Sequence, residues 1–241
     1  MIKLYQFPIS HYCEKVRWAL DYKNIEYQKI NLVPGLHLKA TKKLGVKSSV
    51  PILQDDDFIV SGSIKIIDYL ERKFPQNQLT PTEERLKSDV LEWEMFLDNS
   101  VGVNCRLTAY HILLNHPSIV KGFFTHKGPW YGRLFLTFAF PKLATKMRYL
   151  MKINEDTFNQ SKQELHLAAD RLLAHYQQNE FLIGDRFTRV DLTAAALFAP
   201  IMMPDGYGLN WPKDVPTEYQ QLKREFEEKL NWLPRIYKSF R

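Results

Sequence analysis

The spacing of apolar residues changes character near residue 75, and this change divides the sequence into two regions. Before it, short alternating runs typical of strands take turns with the three- and four-residue spacings typical of helices. After it, the spacings are helical throughout and predict no strand. The segment 75–84 holds two prolines among polar residues, so we expect a linker there between regions 1–74 and 85–241.

The first region predicts an α/β unit with elements in the order β-α-β-α-β-β-α. The predicted segments, in that order, are 2–5, 11–23, 26–32, 36–43, 52–54, 58–60 and 63–73. The two strands around the turn 55–57 must be antiparallel, because so short a connection cannot make a parallel crossover. The second region predicts an all-α bundle with an irregular loop at 203–217. Its predicted helices are 83–114, 130–151, 157–178, 188–200, 217–229 and 233–239.

Composition and charge narrow the class of protein. With 45% apolar and 25% charged residues among 241, the chain is typical of a folded globular enzyme. The net charge of +6 comes from 33 basic and 27 acidic residues, and no basic block resembles a nucleic-acid-binding arm. We therefore expect no nucleic-acid partner, and a mildly positive field that attracts small anions.

Cysteine usage and the N-terminus predict the compartment. The two cysteines, Cys13 and Cys105, form no CxxC pair, so we expect no metal site and a reducing environment. The N-terminus has no signal-peptide pattern, and the apolar run 130–141 falls short of the ~20 residues of a membrane span. The sequence thus predicts a cytoplasmic protein without a membrane span.

Ser10 lies between the first predicted strand and the first predicted helix, where backbone N–H groups favour anions. Such a helix terminus stabilises a thiolate by ~0.3–1 kcal/mol, or ~2 when partly buried, and a hydroxyl donor adds ~1.5–3 kcal/mol. Together these effects lower a thiol pKa from ~8.5 by about two units, giving a nucleophilic thiolate without a general base. The alternative is that Ser10 only caps the helix, and spacing alone leaves both open.

The run FPISHYCEKVR at 7–17, followed by an amphipathic helix, resembles the opening of cytosolic glutathione transferases. Its SxxC form is most similar to the serine-type, theta-like enzymes. The resemblance implies a thioredoxin-like glutathione-binding domain, an all-helical co-substrate domain, and a hydroxyl of Ser10 that activates the glutathione sulfur. Gln6 stands where tyrosine-type classes carry their phenol, and Tyr5 is one position out of register.

The segment SVPIL at 49–53 resembles the VPxL segment of the same family. The resemblance implies a cis bond before Pro51. It also implies that the backbone of Val50 pairs with the bound tripeptide as an added strand would. The residues His37 and Lys47 are candidates for the glycyl carboxylate of glutathione, with a solvated surface role as the alternative.

The segment SGSIKIIDYL at 61–70 is similar to the family's third-helix motif. By that resemblance Ser63 caps the third helix and binds the γ-glutamyl carboxylate of glutathione. Gly62 belongs to the same predicted site and stands where the family commonly has Glu or Asp. Far downstream, the segment 181–191 resembles another family motif, whose Thr188 and Asp191 form a capping-box-like pair. Between 117 and 154 we find no resemblance.

The resemblance implies that a homodimer conjugates the thiolate of glutathione, a co-substrate rather than a bound cofactor, to an electrophilic, largely apolar small molecule. We expect the electrophile pocket between the domains, lined by 93–97, Tyr110 and 130–140. One alternative is a glutathione-dependent thiol oxidoreductase, although Ser10 stands where CxxC sites carry the attacking thiolate, which makes Cys13 a buried structural cysteine. The other alternative is a non-catalytic binding protein of the same fold.

Overall fold

The computed structural model describes residues 1–47 and 49–241. Its first part forms the predicted βαβαββα unit, with elements β1 (Ile2–Gln6), α1 (His11–Tyr22), β2 (Tyr27–Asn31), α2 (His37–Lys43), β3 (Ile52–Asp55), β4 (Phe58–Ser61) and α3 (Ser63–Lys73). The strands form one sheet in the order β2-β1-β3-β4. Strand β1 is parallel to β2 and antiparallel to β3, and β3 is antiparallel to β4, which confirms the predicted hairpin.

Buried and half-buried side chains alternate along β1. Its residues Ile2, Leu4 and Gln6 are buried while the two between them are half-buried, the period of two that a strand imposes. Helix α1 buries nine of its twelve residues. It packs against α3 and also against α9 (Arg189–Met202), the central helix of the second part. Helix α1 therefore joins the two parts of the molecule.

The second part is the predicted helical bundle. Its helices are α4 (Glu84–Phe96), α5 (Val103–Leu113), α6 (Pro117–Phe124), α7 (Tyr131–Met151), α8 (Glu155–Tyr176), α9 (Arg189–Met202), α10 (Thr217–Glu227) and α11 (Leu233–Phe240). Helix α6 was not predicted. The segment 203–216 forms neither helix nor strand, as predicted. The predicted linker lies between the end of α3 and the start of α4, and the division into two domains stays a prediction.

The predicted helix 83–114 differs from the observed structure in its middle. Helices α4 and α5 are joined by a π-helical segment, Leu97–Gly102. Three side chains of α1 reach it: the Tyr12 hydroxyl donates to the Asp98 carbonyl at 2.9 Å, His11 Nε2 lies 2.9 Å from the Gly102 carbonyl oxygen, and Lys15 Nζ donates to the Asp98 carboxylate at 3.3 Å. The wide turn thus presents carbonyls to a neighbouring helix, a long-range arrangement that local periodicity cannot predict.

Helix α9 begins at the predicted capping box and is buried along its entire length. The Asp191 carboxylate accepts from the Thr188 N–H at 2.9 Å, and Thr188 Oγ1 accepts from the Val190 N–H at 3.3 Å. Asp191 also accepts hydrogen bonds from the Leu182 N–H and the Tyr176 hydroxyl. The capping-box prediction is confirmed, and the same carboxylate fastens the preceding loop to the bundle.

Candidate functional site

A cavity of about 380 Å³ lies between the α/β unit and the helical bundle. One wall comes from the segments that follow β1 and precede α2 and β3, and the other comes from α5 and the second half of α7. Most of the described lining is apolar, with Phe7, Ile9, Leu113, Phe124 and Met147 among its members. Such a cavity suits a ligand with an apolar body that meets a few polar groups.

Ser10 lines this cavity at the start of α1. Its backbone is extended and its Oγ accepts a hydrogen bond from the Cys13 N–H at 3.3 Å, so the capping interpretation is confirmed. Because the bond to Cys13 uses only a lone pair of the oxygen, the hydroxyl hydrogen remains available to a ligand atom. Capping and donation are therefore compatible, and the catalytic role of Ser10 stays a prediction.

The Val50–Pro51 peptide bond is cis, as predicted. Val50 lines the cavity, whereas Pro51 is buried directly before β3. The Pro51 carbonyl accepts a hydrogen bond from the Gly62 N–H at 3.1 Å. The structure thus brings together the two segments that the family resemblance assigns to glutathione, although they are eleven residues apart in sequence.

Gly62 and Ser63 lie at the start of α3. Gly62 has a φ of 95°, a conformation that glycine adopts without the steric cost of a Cβ atom. Ser63 is the first residue of α3, and its side chain makes no cap hydrogen bond, so the predicted capping role of Ser63 is wrong. The contact of each residue with glutathione stays a prediction.

The two candidates for the glycyl carboxylate lie in different surroundings. His37 lines the cavity, its Nδ1 accepts from the Gly35 N–H at 3.0 Å, and its ring packs edge-on against Phe7. Lys47 is exposed and lies outside the described lining. The glutathione contacts of both residues stay predictions.

Two sequence profiles match the chain, one at each end. The profile described as "Glutathione S-transferase, N-terminal domain" matches residues 4–78, and the profile described as "Glutathione S-transferase, C-terminal domain" matches residues 131–228. The chain belongs to the glutathione S-transferase superfamily. The cavity is lined by residues of both matched parts and by residues of α5 and α6, which lie between them in the sequence.

Similar proteins agree with this membership. Glutathione S-transferase 1 of Dianthus caryophyllus is 39% identical over 85 residues, which are 34% of this chain and 38% of that protein. Glutathione S-transferase Z1 of Arabidopsis thaliana is 35% identical over 85 residues, again 34% of this chain and 38% of that protein. The chain thus spans less than two fifths of the length of these relatives.

A solved structure extends the likeness of fold to nearly the whole chain. The β-etherase LigF from Sphingobium sp. strain SYK-6 has a TM-score of 0.67 and 17% identity, covering 98% of each chain. At that identity the likeness concerns the fold alone. The likeness of fold therefore includes the segment 117–154, where we recognised no family motif in the sequence, and the C-terminal profile matches residues 131–154 of it as well.

The predicted pocket lining of this superfamily member is correct at Tyr110 and wrong for the segments 93–97 and 130–140. Trp93 packs beneath the Arg171 guanidinium, 4.3 Å from the ring centroid. Trp130, just before α7, is 82% exposed and Phe138 on α7 is 77% exposed, and the second half of that helix lines the cavity instead. Helical spacing identifies an apolar stripe but cannot say which part of it faces a cleft.

No phenol of β1 reaches this cavity. The Tyr5 hydroxyl donates to Gln54 Oε1 at 2.8 Å, along the sheet. Gln6 is buried, with its amide oxygen accepting from Arg17 Nη1 at 2.6 Å and its amide nitrogen donating to Asn31 Oδ1 at 2.8 Å. Both side chains are therefore structural, which leaves Ser10 as the hydroxyl at the helix start.

The polar side chains of the lining that sequence reasoning missed include His11 and Arg106. Burial, reinforced by the positive charge of Arg106, lowers the pKa of His11 to about 3 against the opposing hydrogen bond to Gly102. His11 is thus neutral at physiological pH, and its Nε2–H donates to the Gly102 carbonyl. A signal for Arg106 existed, because it shares a helical face with Tyr110 at a spacing of four.

Cys13 is fully buried, as predicted for a structural cysteine. Burial raises the pKa of its thiol, against the opposing effects of Arg17 and the Ser10 hydrogen bond. Among residues 1–47 and 49–241, no cluster of three or more His, Cys, Asp or Glu side chains could hold a metal ion. In the same described residues, no helix has the length and apolar character needed to cross a membrane.

Proposed function

We propose that this protein conjugates the thiolate of glutathione to an electrophilic, largely apolar small molecule. The observation that carries the proposal is the position of Ser10, which caps α1 with its oxygen while lining a mostly apolar cavity. A sulfur atom bound beside Ser10 would meet both a hydroxyl donor and the positive end of a helix. The family membership of the chain supports glutathione as the source of that sulfur.

In this mechanism the bound thiol loses its proton to solvent, and the helix start and the Ser10 hydroxyl stabilise the resulting thiolate. The sulfur then attacks the electrophilic carbon. With chlorodinitrobenzene, an S–C bond forms, the C–Cl bond breaks, and chloride leaves with the bonding electron pair. Ser10 donates a hydrogen bond and removes no proton, so no general base is required.

The α/β unit supplies the proposed glutathione contacts. The backbone of Val50 would pair with the tripeptide, and the N-terminus of α3 at Gly62 and Ser63 would receive its γ-glutamyl carboxylate. His37, which lines the cavity, and the exposed Lys47 are the candidates for its glycyl carboxylate. The co-substrate would then lie against α5 and the second half of α7.

Cys13 argues against the alternative of a thiol oxidoreductase. An attacking cysteine needs access to its substrate and a low thiol pKa. Cys13 is fully buried, and burial raises the pKa of its thiol. The proposed sulfur nucleophile is therefore that of glutathione.

Exposed apolar side chains support the homodimer implied by the resemblance. Phe58 on β4 is 48% exposed, and Leu91 and Met95 on α4 are 53% and 61% exposed. Burial of such side chains against a second copy would stabilise a dimer by the hydrophobic effect. The homodimer is part of the proposal.

Steady-state kinetics with chlorodinitrobenzene and glutathione test the role of Ser10. We expect Ser10→Ala to lower turnover about ten- to a hundredfold, because ~1.4–2.7 kcal/mol of thiolate stabilisation is lost. Ser10→Thr, which keeps a hydroxyl, should retain most of the activity. The matched control is Asn154→Ala, which removes the capping residue of α8.

The control separates catalysis from capping. Both alanine substitutions remove an N-cap and should cost about 1 kcal/mol of unfolding free energy. Only Ser10→Ala should lower turnover. Equal turnover in wild type and Ser10→Ala would remove Ser10 from the mechanism. A wild-type protein that neither conjugates the electrophile nor binds immobilised glutathione would favour a non-catalytic binding protein.

A further inference from the structure

Arg106 on α5 lines the cavity and has no counter-ion within the described chain. Its Nε is buried and forms no hydrogen bond with any described residue. Arginines elsewhere behave differently: Arg17 pairs with Glu14, and Arg189 pairs with Asp68. The structure thus leaves the partly buried guanidinium of Arg106 beside the cavity without a counter-ion.

The cavity around Arg106 is positively charged. The described lining holds Arg106 and, at its exposed rim, Lys146, but no Asp or Glu. The sequence explains this, because no acidic residue occurs between Asp98 and Glu155. A carboxylate that neutralises Arg106 therefore cannot come from α5, α6 or α7.

The neighbours of Arg106 neither neutralise it nor compete with it for an anion. His11 is neutral at physiological pH, because burial and the Arg106 charge lower its pKa to about 3. Burial raises the pKa of Tyr110, one turn further along α5, so its hydroxyl stays protonated. That hydroxyl forms no hydrogen bond with a described residue and is available as a second donor.

A guanidinium presents N–H groups in a planar fork that matches two oxygens of one anionic group. The face of α5 that continues from Arg106 is apolar at Ala109 and Leu113, and Phe124 and Met147 lie in the same lining. The complementary ligand therefore has an apolar body and one oxyanion.

We propose that the co-substrate cavity selects electrophiles that carry a carboxylate, which the Arg106 guanidinium binds. The inference rests on the proposed function, since it specifies the electrophile that the thiolate attacks. The glycyl carboxylate of glutathione shares the same chemistry and is the competing occupant. The position of Arg106 on the wall opposite Ser10 and Val50 favours the co-substrate.

The test compares chlorodinitrobenzoate with its methyl ester, in which a neutral group replaces the anionic one and also makes the ring intrinsically more reactive. The ratio of acid to ester in kcat/KM is therefore compared between variants, which cancels the intrinsic difference, and we expect Arg106→Gln to lower this ratio about ten- to a hundredfold. Arg106→Lys, which keeps the charge but not the planar fork, should retain part of the preference. Arg133→Gln, on the exposed side of α7, should leave the ratio at its wild-type value.

Two outcomes would overturn the inference. An unchanged ratio in Arg106→Gln would exclude a role for the guanidinium in selecting the electrophile. An equal rise of the KM for glutathione with both electrophiles, at a constant ratio, would assign Arg106 to the tripeptide instead.

Failure of the proposed function is separable from failure of this inference. A wild-type protein that conjugates neither compound would contradict conjugation. Calorimetric binding of chlorodinitrobenzoate and its ester then tests Arg106 without any reaction. Tighter binding of the acid that Arg106→Gln abolishes supports the anion site, and equal binding of both compounds contradicts it.

Discussion

At the residue scale, His11 affects the stability of the fold as well as lining the cavity. The folded protein holds this imidazole neutral, because burial and Arg106 lower its pKa from 6.5 to about 3. As the pH falls below 6.5, the unfolded chain takes up a proton at His11 that the folded protein does not. The stability that His11 contributes is therefore complete above pH 6.5 and is lost as the pH falls towards 3.

Replacement of His11 by Gln should weaken the acid sensitivity of folding. Glutamine keeps a donor for the Gly102 carbonyl but has no proton to gain. Between pH 6.5 and pH 4 we expect wild type to lose about 3 kcal/mol more unfolding free energy than His11→Gln. Urea unfolding at several pH values measures this difference, and parallel pH profiles of the two proteins would contradict it.

Sequence reasoning located single residues where a family motif or a local turn defined them. Ser10, Val50 and Tyr110 all line the cavity as expected. Arg106 was not predicted, because the feature that distinguishes it is the lack of a counter-ion. The presence or lack of a counter-ion depends on all the chain segments that pack around Arg106, and no local sequence pattern shows it.

At the element scale, the π-helical segment between α4 and α5 depends on a glycine. A Cβ atom on Gly102 would lie 2.2 Å from the Tyr12 hydroxyl oxygen. That hydroxyl is fixed by its hydrogen bond to the Asp98 carbonyl. Helix α1 and the π-helical segment can therefore approach this closely only with glycine at position 102.

We expect Gly102→Ala to destabilise the protein by about 1–3 kcal/mol, because the Tyr12 ring must move and its hydrogen bond is strained or lost. The matched control is Gly122→Ala in α6, where a Cβ atom would meet nothing within 4 Å. That change should stabilise the protein by about 0.4–1 kcal/mol. Thermal unfolding of both variants checks the pair, and equal effects of the same sign would contradict the account.

Helix boundaries show what periodicity reveals about elements. The βαβαββα order and the long helices were predictable, because each carries its apolar residues at its own period. Helix α6 was missed, since eight residues that begin with a proline give too short a pattern. The exposed Trp130, just before α7, and Phe138 on α7 were assigned to the pocket because apolar character alone does not reveal which face is buried.

At the scale of the whole molecule, a buried charge cluster joins the two parts. Glu94 on α4 lies 2.7 Å from Lys15 Nζ on α1 and 2.9 Å from Arg189 Nη2 on α9. Arg189 Nη1 in turn lies 2.6 Å from Asp68 on α3. All but Asp68 are almost entirely buried, so one carboxylate neutralises cations from both parts.

Glu94→Gln should lower the unfolding free energy by about 1–3 kcal/mol, because it removes the carboxylate shared by two buried cations and leaves Lys15 paired only with Asp98 and Arg189 only with Asp68. Glu92→Gln, on the exposed side of the same helix, should change it by less than about 0.5 kcal/mol. The urea midpoints of the two variants provide the comparison. A Glu94→Gln midpoint equal to that of Glu92→Gln would mean that the cluster contributes nothing to the union of the two parts.

The overall architecture was predictable and the joining of its parts was not. The alternation typical of strands and the three- to four-residue spacing typical of helices were enough to predict a sheet unit followed by a helical bundle. The ion pairs between α1, α4 and α9 join residues that are 79 and 95 positions apart in the sequence. No local pattern encodes such pairs, so the cavity that forms at this junction could be assigned only in part.

The ionisation of glutathione bound beside Ser10 is the central claim, and ultraviolet absorbance of the thiolate as a function of pH measures it directly. We expect wild type to bind glutathione with a thiol pKa about two units below the ~8.5 of a free thiol. In Ser10→Ala the pKa of the bound thiol should rise most of the way back to that of a free thiol. In Asn154→Ala it should stay as low as in wild type. A bound thiol with the same pKa in wild type and Ser10→Ala would contradict the account.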